Sequence, residues 1–452
     1  MSGPLIQLAA AAKSAVVDAG ALEAELRSEL RGDVRFDRSS LALYSTDGSN
    51  YRQVPIGVVR PRDNDDVIAT LSIAREFGAP ILCRGAGTSL AGQCCNVALV
   101  LDFSRYMANI LEIDPARRIA RVQPGVVLDQ LRNAAEKFHL TFAPDPATHD
   151  RCTLGGMIGN NSCGVHSVMA GKTDDNIEEL EILTYDGARM KVGPTTDAER
   201  ENIIGEGGRR GEIYGALTAL RAKYADLIRQ RYPNIPRRVS GYNLNYLLPE
   251  NGFNVARALV GSEGTCVTVL EATCRLVESP PERVLLVIAW PDIYLCADHV
   301  PEILAHKPIG LEGIDDLLVE YTRRKGINLE GLALLPQGGG WLLAEFGANT
   351  AHEAESQACG LMEKLSHSPN PPQMHLFADK QLAKRVWEVR ESSLGVISYV
   401  PGEALNWEGW EDSAVAPEKL GNYLRDLRKL MDAYGYRGTL YGHFGHGCVH
   451  NR

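Results

Sequence analysis

The chain has 452 residues, 44% of them hydrophobic and 23% charged, with a formal net charge of -10. That length exceeds what a single hydrophobic core usually serves, so two lobes are expected, and the balance is that of a globular protein rather than a disordered one. The acidic excess argues against a nucleic acid as partner, because phosphate backbones are held by clustered Lys and Arg.

In chain order, the Ala-rich start from Met1 to Leu30 reads as an amphipathic helix. Lys13 and Asp18 interrupt any signal-peptide apolar core, so a cytoplasmic protein, at most peripheral to a membrane, is expected. Gly57 to Arg60 reads as a strand, Asp63-Asn64 as the cap of a helix that stops at Gly78 and Pro80, and Ile81 to Cys83 as the next strand. Strands at 98–102, 110–114 and 119–123 and a helix at about 127–139 follow. Runs at 181–185 and 188–192 flank Asp186-Gly187, a dipeptide suited to a two-residue hairpin turn. Helices are expected over 212–231 and 255–260, with a strand ending near Val277.

Ser279-Pro280-Pro281 then punctuates the chain and marks the expected domain boundary. Strands at 284–290, 341–346 and 439–442 alternate with helices near 298–305, 352–365, 381–391 and 417–434. Closely spaced strands with interleaved helices define an α+β fold. Apolar runs such as Val284 to Trp290 have the length of a buried strand and are too short to cross a bilayer. The ten cysteines form no regular framework and read as free thiols, and none has ferredoxin spacing, so no iron-sulfur cluster is expected in this chain.

Three segments carry chemistry. Arg84-Gly-Ala-Gly-Thr-Ser89 follows a strand directly, and its glycines let backbone N–H groups approach an anion. It matches neither Walker A nor the dinucleotide fingerprint, and a plain Gly-rich turn is the competing reading. The second, Pro144 to Thr148 continuing into 152–164, is dense in Gly, Asn and Ser, and the third, Gly261-Ser-Glu-Gly-Thr265, precedes an apolar strand. Each alone is more often a turn, but in this order they point to one extended cofactor. At the far end, Gly442-His-Phe-Gly-His-Gly-Cys-Val-His450 presents three histidines around glycines, a pattern able to hold one divalent metal.

These segments resemble the FAD-linked oxidases of the vanillyl-alcohol oxidase and p-cresol methylhydroxylase type, in the branch of D-lactate, glycolate-oxidase-type and D-2-hydroxyglutarate dehydrogenases. The resemblance covers Tyr51 to the end. It implies a two-subdomain FAD-binding domain over 51–279 after an N-terminal helical segment, 1–50, and a substrate or cap domain over 280–452. It assigns the FAD to Arg84, Gly85, Ala86, Gly87, Thr88, Ser89, Pro144, Thr153, Gly155, Gly156, Asn160, Ser162, Glu263, Gly264 and Thr265, with a backbone contact from Ile177 to adenine. Thr88 and Ser89 stand where some relatives tether the flavin through a His, so non-covalent FAD is expected. Cys266-Val267 replace the Leu-Gly that usually follows the third segment.

The same resemblance makes His443 and His450 ligands of a divalent metal, zinc or manganese. It puts a further carboxylate ligand in a stretch after the motif that this chain does not contain, and His446 where relatives carry Asp. Arg390 in Trp387-Glu-Val-Arg-Glu391 resembles the Arg that pairs with the substrate carboxylate, a task its planar fork suits; a surface Arg-Glu salt bridge is the competing reading. A Lys that helps hold substrate in relatives has no counterpart in 406–412, where Trp407 and Trp410 are either pocket walls or core. The implied activity is oxidation of a D-2-hydroxy acid by hydride transfer to flavin N5, with His446 as the local base. Electrons would go to a quinone, a cytochrome or an iron-sulfur partner. The segments at 406–412 and 442–450 also resemble large bacterial fusions with an iron-sulfur domain, so the chain is expected to be the front part of one. The alternatives are a flavin-binding fragment without turnover and a non-redox transferase of the alkylglycerone-phosphate synthase type.

Overall fold

The computed structural model describes residues 17–404, 406 and 411–452. Two small sheets build the first half. In one, β2 (Gly57–Arg60), β3 (Ile81–Arg84) and β4 (Leu99–Asp102) run parallel in the order β2-β4-β3, and β1 (Asp33–Arg35) pairs antiparallel with β2. Leu99, Val100 and Leu101 on its central strand are wholly buried, as parallel strands covered on both faces require. Asp63 caps the helix Asn64–Glu76 by accepting from Asp65 N and Asp66 N.

The other sheet is antiparallel. It contains β5 (Ile110–Asp114), β6 (Ile119–Val122), β8 (Ile177–Leu183), β9 (Arg189–Val192) and β10 (Thr268–Arg275), in the order β5-β6-β10-β8-β9, while β7 (Leu140–Thr141) pairs apart with β11 (Val277–Glu278). The β8–β9 hairpin is one residue longer than Asp186-Gly187 suggested. Thr184 N donates to Ala188 O at 3.0 Å and Gly187 N to Thr184 O at 2.9 Å, and Gly187 takes φ +93°, which closes a three-residue loop.

In the second half, β12 (Glu282–Trp290), β13 (Gly310–Asp315), β14 (Gly340–Ala348) and β15 (Gln373–Phe377) form an antiparallel sheet in the order β13-β14-β12-β15. Leu286, Ile288 and Trp290 pack with Leu342, Ala344 and Phe346 under the helix Ala351–Ser366, whereas Leu285, Val287 and Ala289 pack with Leu343 under Lys380–Glu391. Coverage on both faces explains why 284–290 shows no polar alternation. A last sheet joins β16 (Asp412–Ala414), β18 (Cys448–Asn451) and β17 (Leu440–Tyr441) in that order. The helix read at 298–305 is two short helices, Ile293–Asp298 and Val300–Leu304, the second with Pro301 in its first turn. Residues 1–16 and the tryptophans Trp407 and Trp410 lie outside the described residues, and no described helix is long and apolar enough to cross a membrane.

Candidate functional site

The three small-residue segments meet in space. The loop after β3 lies so close to the second segment that a Cβ on Gly85 would stand 2.1 Å from Thr153 Oγ1, so only glycine permits the approach. Gly87 takes φ +70°, a left-handed backbone conformation that glycine adopts without strain. Thr153 caps the helix Leu154–Asn160 by accepting from Gly156 N. The third segment is stitched to that helix: Gly261 N donates to Ile158 O and Glu263 N to Gly159 O, both at 2.8 Å.

Together they wall a continuous trench. A cavity of about 470 Å³, within the roughly 300–1,000 Å³ typical of small-molecule sites, is lined by Gly85 to Ser89, Thr153, Gly156, Asn160, Ser162 and Glu263. It continues past Arg84, Gly155, Gly264 and Val267 into a recess lined by Tyr185, Thr265 and Cys266. A trench of backbone and small side chains running from one lobe toward the other suits an extended dinucleotide with a flat ring at its wide end.

Three of the residues expected at the FAD make contacts within the protein or lie behind the cavity wall. The Arg84 guanidinium donates to the carbonyls of Cys94 (2.7 Å), Thr46 (2.8 Å) and Tyr44 (3.3 Å) and so braces the loop. Pro144 is buried outside the cavity wall because the adjacent Asp145 is drawn inward to His166, and Pro146 and Thr148 line the cavity in its place. Ile177 is wholly buried, and its carbonyl accepts from Arg257 Nε at 3.4 Å away from the trench.

The wide end of the cavity is closed by the second half of the chain. The helix Lys380–Glu391, capped by Asp379, buries Val386 and Val389 and carries Arg390 on its last turn into the cavity wall. Arg390 does not pair with Glu391. Its Nε donates to Glu312 Oε2 at 2.9 Å, its Nη2 lies 2.7 Å from the same oxygen, and its guanidinium sits 5.0 Å from the Tyr441 ring centre. Glu312, wholly buried on β13, turns its other oxygen to His443 Nδ1 at 2.8 Å. An isolated bridge between Gly313 and Gly442 docks the histidine turn on this strand, where a Cβ on Gly313 would strike the Phe444 ring.

His443 and His450 both line the cavity, their rings edge to face with centres 5.0 Å apart. His450 Nδ1 bonds Asp412, its register partner across β16 and β18. Each imidazole therefore has Nδ1 held by a carboxylate, the arrangement by which carboxylates orient metal-binding histidines. Burial first, then the Arg237 charge, holds His443 well below the usual histidine range and keeps it neutral. Burial pushes the Glu312 carboxyl up against the opposing pull of Arg390. Burial also opposes ionisation of Asp412, but His450 outweighs it and holds the carboxyl below its ordinary range. Asp412, Cys448 and His450 bring their ligand atoms within 4.8 Å of one another.

His446 stands outside the cavity wall. The turn Phe444–His446 carries it inward to a buried position beside the Ser167 backbone, and burial, followed by the charges of Arg237 and Lys172, pushes its pKa down to about 4. Sequence reasoning missed Glu312, Asp412 and Arg237, all of which belong to this end of the cavity; the first has a visible trace, a lone Glu between glycines in the apolar strand Gly310 to Ile314.

Fold and trench define a flavoprotein class. Residues 55–193 match the family model of an FAD binding domain, and residues 279–452 match that of the C-terminal domain of FAD linked oxidases. The chain belongs to the FAD-linked oxidase family. It is 33% identical over 442 residues to a D-2-hydroxyglutarate dehydrogenase of Pseudomonas putida, covering 95% of this chain and 44% of that protein. It is 28% identical over 400 residues to a D-lactate dehydrogenase of Archaeoglobus fulgidus, covering 87% and 74%. The chain thus spans less than half the length of the D-2-hydroxyglutarate dehydrogenases it matches. Among solved structures, an alkyldihydroxyacetonephosphate synthase aligns with a TM-score of 0.64 at 15% identity, covering 96% of this chain and 80% of that one. A 4-ethylphenol oxidase from Gulosibacter chungangensis aligns at 0.63 and 14%, covering 97% and 83%. At those identities the likeness shows the shared fold.

Proposed function

We propose that the chain oxidises a D-2-hydroxy acid of the D-2-hydroxyglutarate or D-lactate class to the 2-oxo acid, with non-covalent FAD in the trench. The observation that carries this reading is the relay Arg390–Glu312–His443, which puts a carboxylate-binding cation and a neutral imidazole on one wall of the cavity that the phosphate-loop segment also lines.

Arg390 takes the substrate carboxylate. Two of its donors are spent on Glu312, which fixes the guanidinium plane, and the remaining donors of the fork serve a ligand in the cavity. Glu312 also accepts a hydrogen bond from His443 Nδ1–H, so Nε2 of the neutral ring carries a lone pair, open to the substrate hydroxyl or to a cation. Asp412 orients His450 in the same way. FAD, when bound, supplies the two-electron acceptor for the hydride at C2. His443 and His450 would hold a divalent cation, zinc or manganese, which would act as a Lewis acid on the hydroxyl.

The electrons pass on to a quinone, a cytochrome or an iron-sulfur protein, since the loop after β3 lacks the nicotinamide fingerprint. Turnover with an artificial dye acceptor and chromatographic detection of the 2-oxo acid tests the reading. Product from the D but not the L enantiomer is expected; a protein that holds FAD and yields no 2-oxo acid from D-lactate, D-2-hydroxyglutarate or glycolate refutes it.

A further inference from the structure

Three arginines are buried among the described residues: Arg200, Arg237 and Arg390. Arg200 pairs with Asp197, and Arg390 with Glu312. Arg237 differs from both. Although it lines the cavity, its guanidinium has no carboxylate within 4.0 Å and no hydrogen bond among the described residues, and its Nη1 is sealed from solvent without a partner. The nearby carboxylates are committed, Asp412 to His450 and Glu312 to Arg390 and His443.

A buried cation with its donors unused is costly unless something fills the space before it, and a guanidinium fork is shaped for a carboxylate. The position of Arg237 says which ligand that is. Its charge, like that of Arg390, bears on His443, and of the groups that bear on it in turn, Cys163, Cys448, Asp412 and Glu312, the last three belong to the histidine end of the cavity and none to the loop after β3. The two guanidiniums therefore attend one imidazole.

We propose that Arg237 binds the second carboxylate of the substrate and makes the site select a 2-hydroxy dicarboxylic acid over a monocarboxylic one. This rests on the reading of the cavity as a 2-hydroxy acid site: the 1-carboxylate at Arg390, the hydroxyl at His443, the distal carboxylate at Arg237. A site built to pair a polar group discriminates steeply against the analogue that lacks it, because its own donors are then left buried and unpaired.

The test compares D-2-hydroxyglutarate with D-2-hydroxypentanoate, the same carbon chain with one carboxylate fewer, in the FAD-loaded protein and in Arg237→Gln and Arg237→Lys. The wild type is expected to favour the dicarboxylate by about a hundredfold or more in kcat/KM, and Arg237→Gln to raise its KM about 50-fold and collapse the preference, with Arg237→Lys between them. Calorimetric titration with unreactive glutarate and pentanoate keeps the inference separate from turnover. If the wild type oxidises neither acid, the dehydrogenase reading fails, yet glutarate binding that Arg237→Gln abolishes would still support the anchor. Equal KM increases for both acids, unchanged glutarate binding in Arg237→Gln, or lost FAD with the preference intact would each overturn it.

Discussion

Glu345, on β14 of the second half, accepts a hydrogen bond from His166 Nε2 at 2.7 Å, and Asp145 holds the other ring nitrogen at 2.5 Å. All three side chains are nearly buried, and Arg283 adds a cation 3.5 Å from Glu345. The imidazole thus clamps the FAD-binding lobe to the C-terminal domain. Burial works against its charge, but the two carboxylates outweigh burial and raise its pKa to about 9.

A folded pKa above the unfolded value of 6.5 means a contribution that is full below about pH 6.5 and fades as pH rises through 9. Its ceiling is about 3 kcal/mol. Chemical denaturation of wild type and His166→Gln should show a stability gap at pH 6 that narrows by pH 10; the same gap at both pH values would contradict a charged clamp.

Gly85 is expected to accept no side chain. Gly85→Val should weaken FAD binding about tenfold or more, roughly 1.4 kcal/mol, read as the flavin-to-protein absorbance ratio after gel filtration. Gly360 sits on the exposed face of the helix Ala351–Ser366, where an added Cβ would meet nothing within 4 Å, so Gly360→Ala should leave FAD content alone and raise stability by about 0.5–1 kcal/mol.

Arg390→Lys keeps the charge but loses the fork that spans Glu312 and a ligand. A fall of about a hundredfold in kcat/KM, expressed mainly in KM, is expected from steady-state kinetics with the preferred acid. Near-normal KM would move the carboxylate site elsewhere.

Glu312→Gln removes the acceptor that fixes His443. If His443 and His450 hold a divalent cation, this variant should bind zinc about 10–100-fold more weakly in competition with a chromophoric chelator, and His443→Ala should lose the site. Stoichiometric zinc binding by His443→Ala would contradict the assignment.

The meeting of the three small-residue segments was legible because its demands are local. Gly85, Gly87 and Gly264 answer to backbone approach and positive φ, which residue types in a short window reveal. The histidine end of the cavity answers to pairings across the chain: Arg390 meets Glu312 78 residues away, and Glu312 meets His443 at a separation of 131. No window contains both partners. For the same reason the motif alone offers His446 as a local base beside the two expected ligands, although the turn at Phe444–His446 sends its ring to the core and theirs to the cavity. Local pattern also placed Pro144 two residues away from the cavity-lining Pro146, since the inward pull of His166 on Asp145 is a tertiary effect.

The most direct measurement is the visible flavin band of the FAD-loaded protein, followed anaerobically as each enantiomer of 2-hydroxyglutarate and lactate is added with zinc or manganese present. The account predicts rapid bleaching by a D acid and none by its L enantiomer. An oxidised spectrum that persists with every D acid would contradict it.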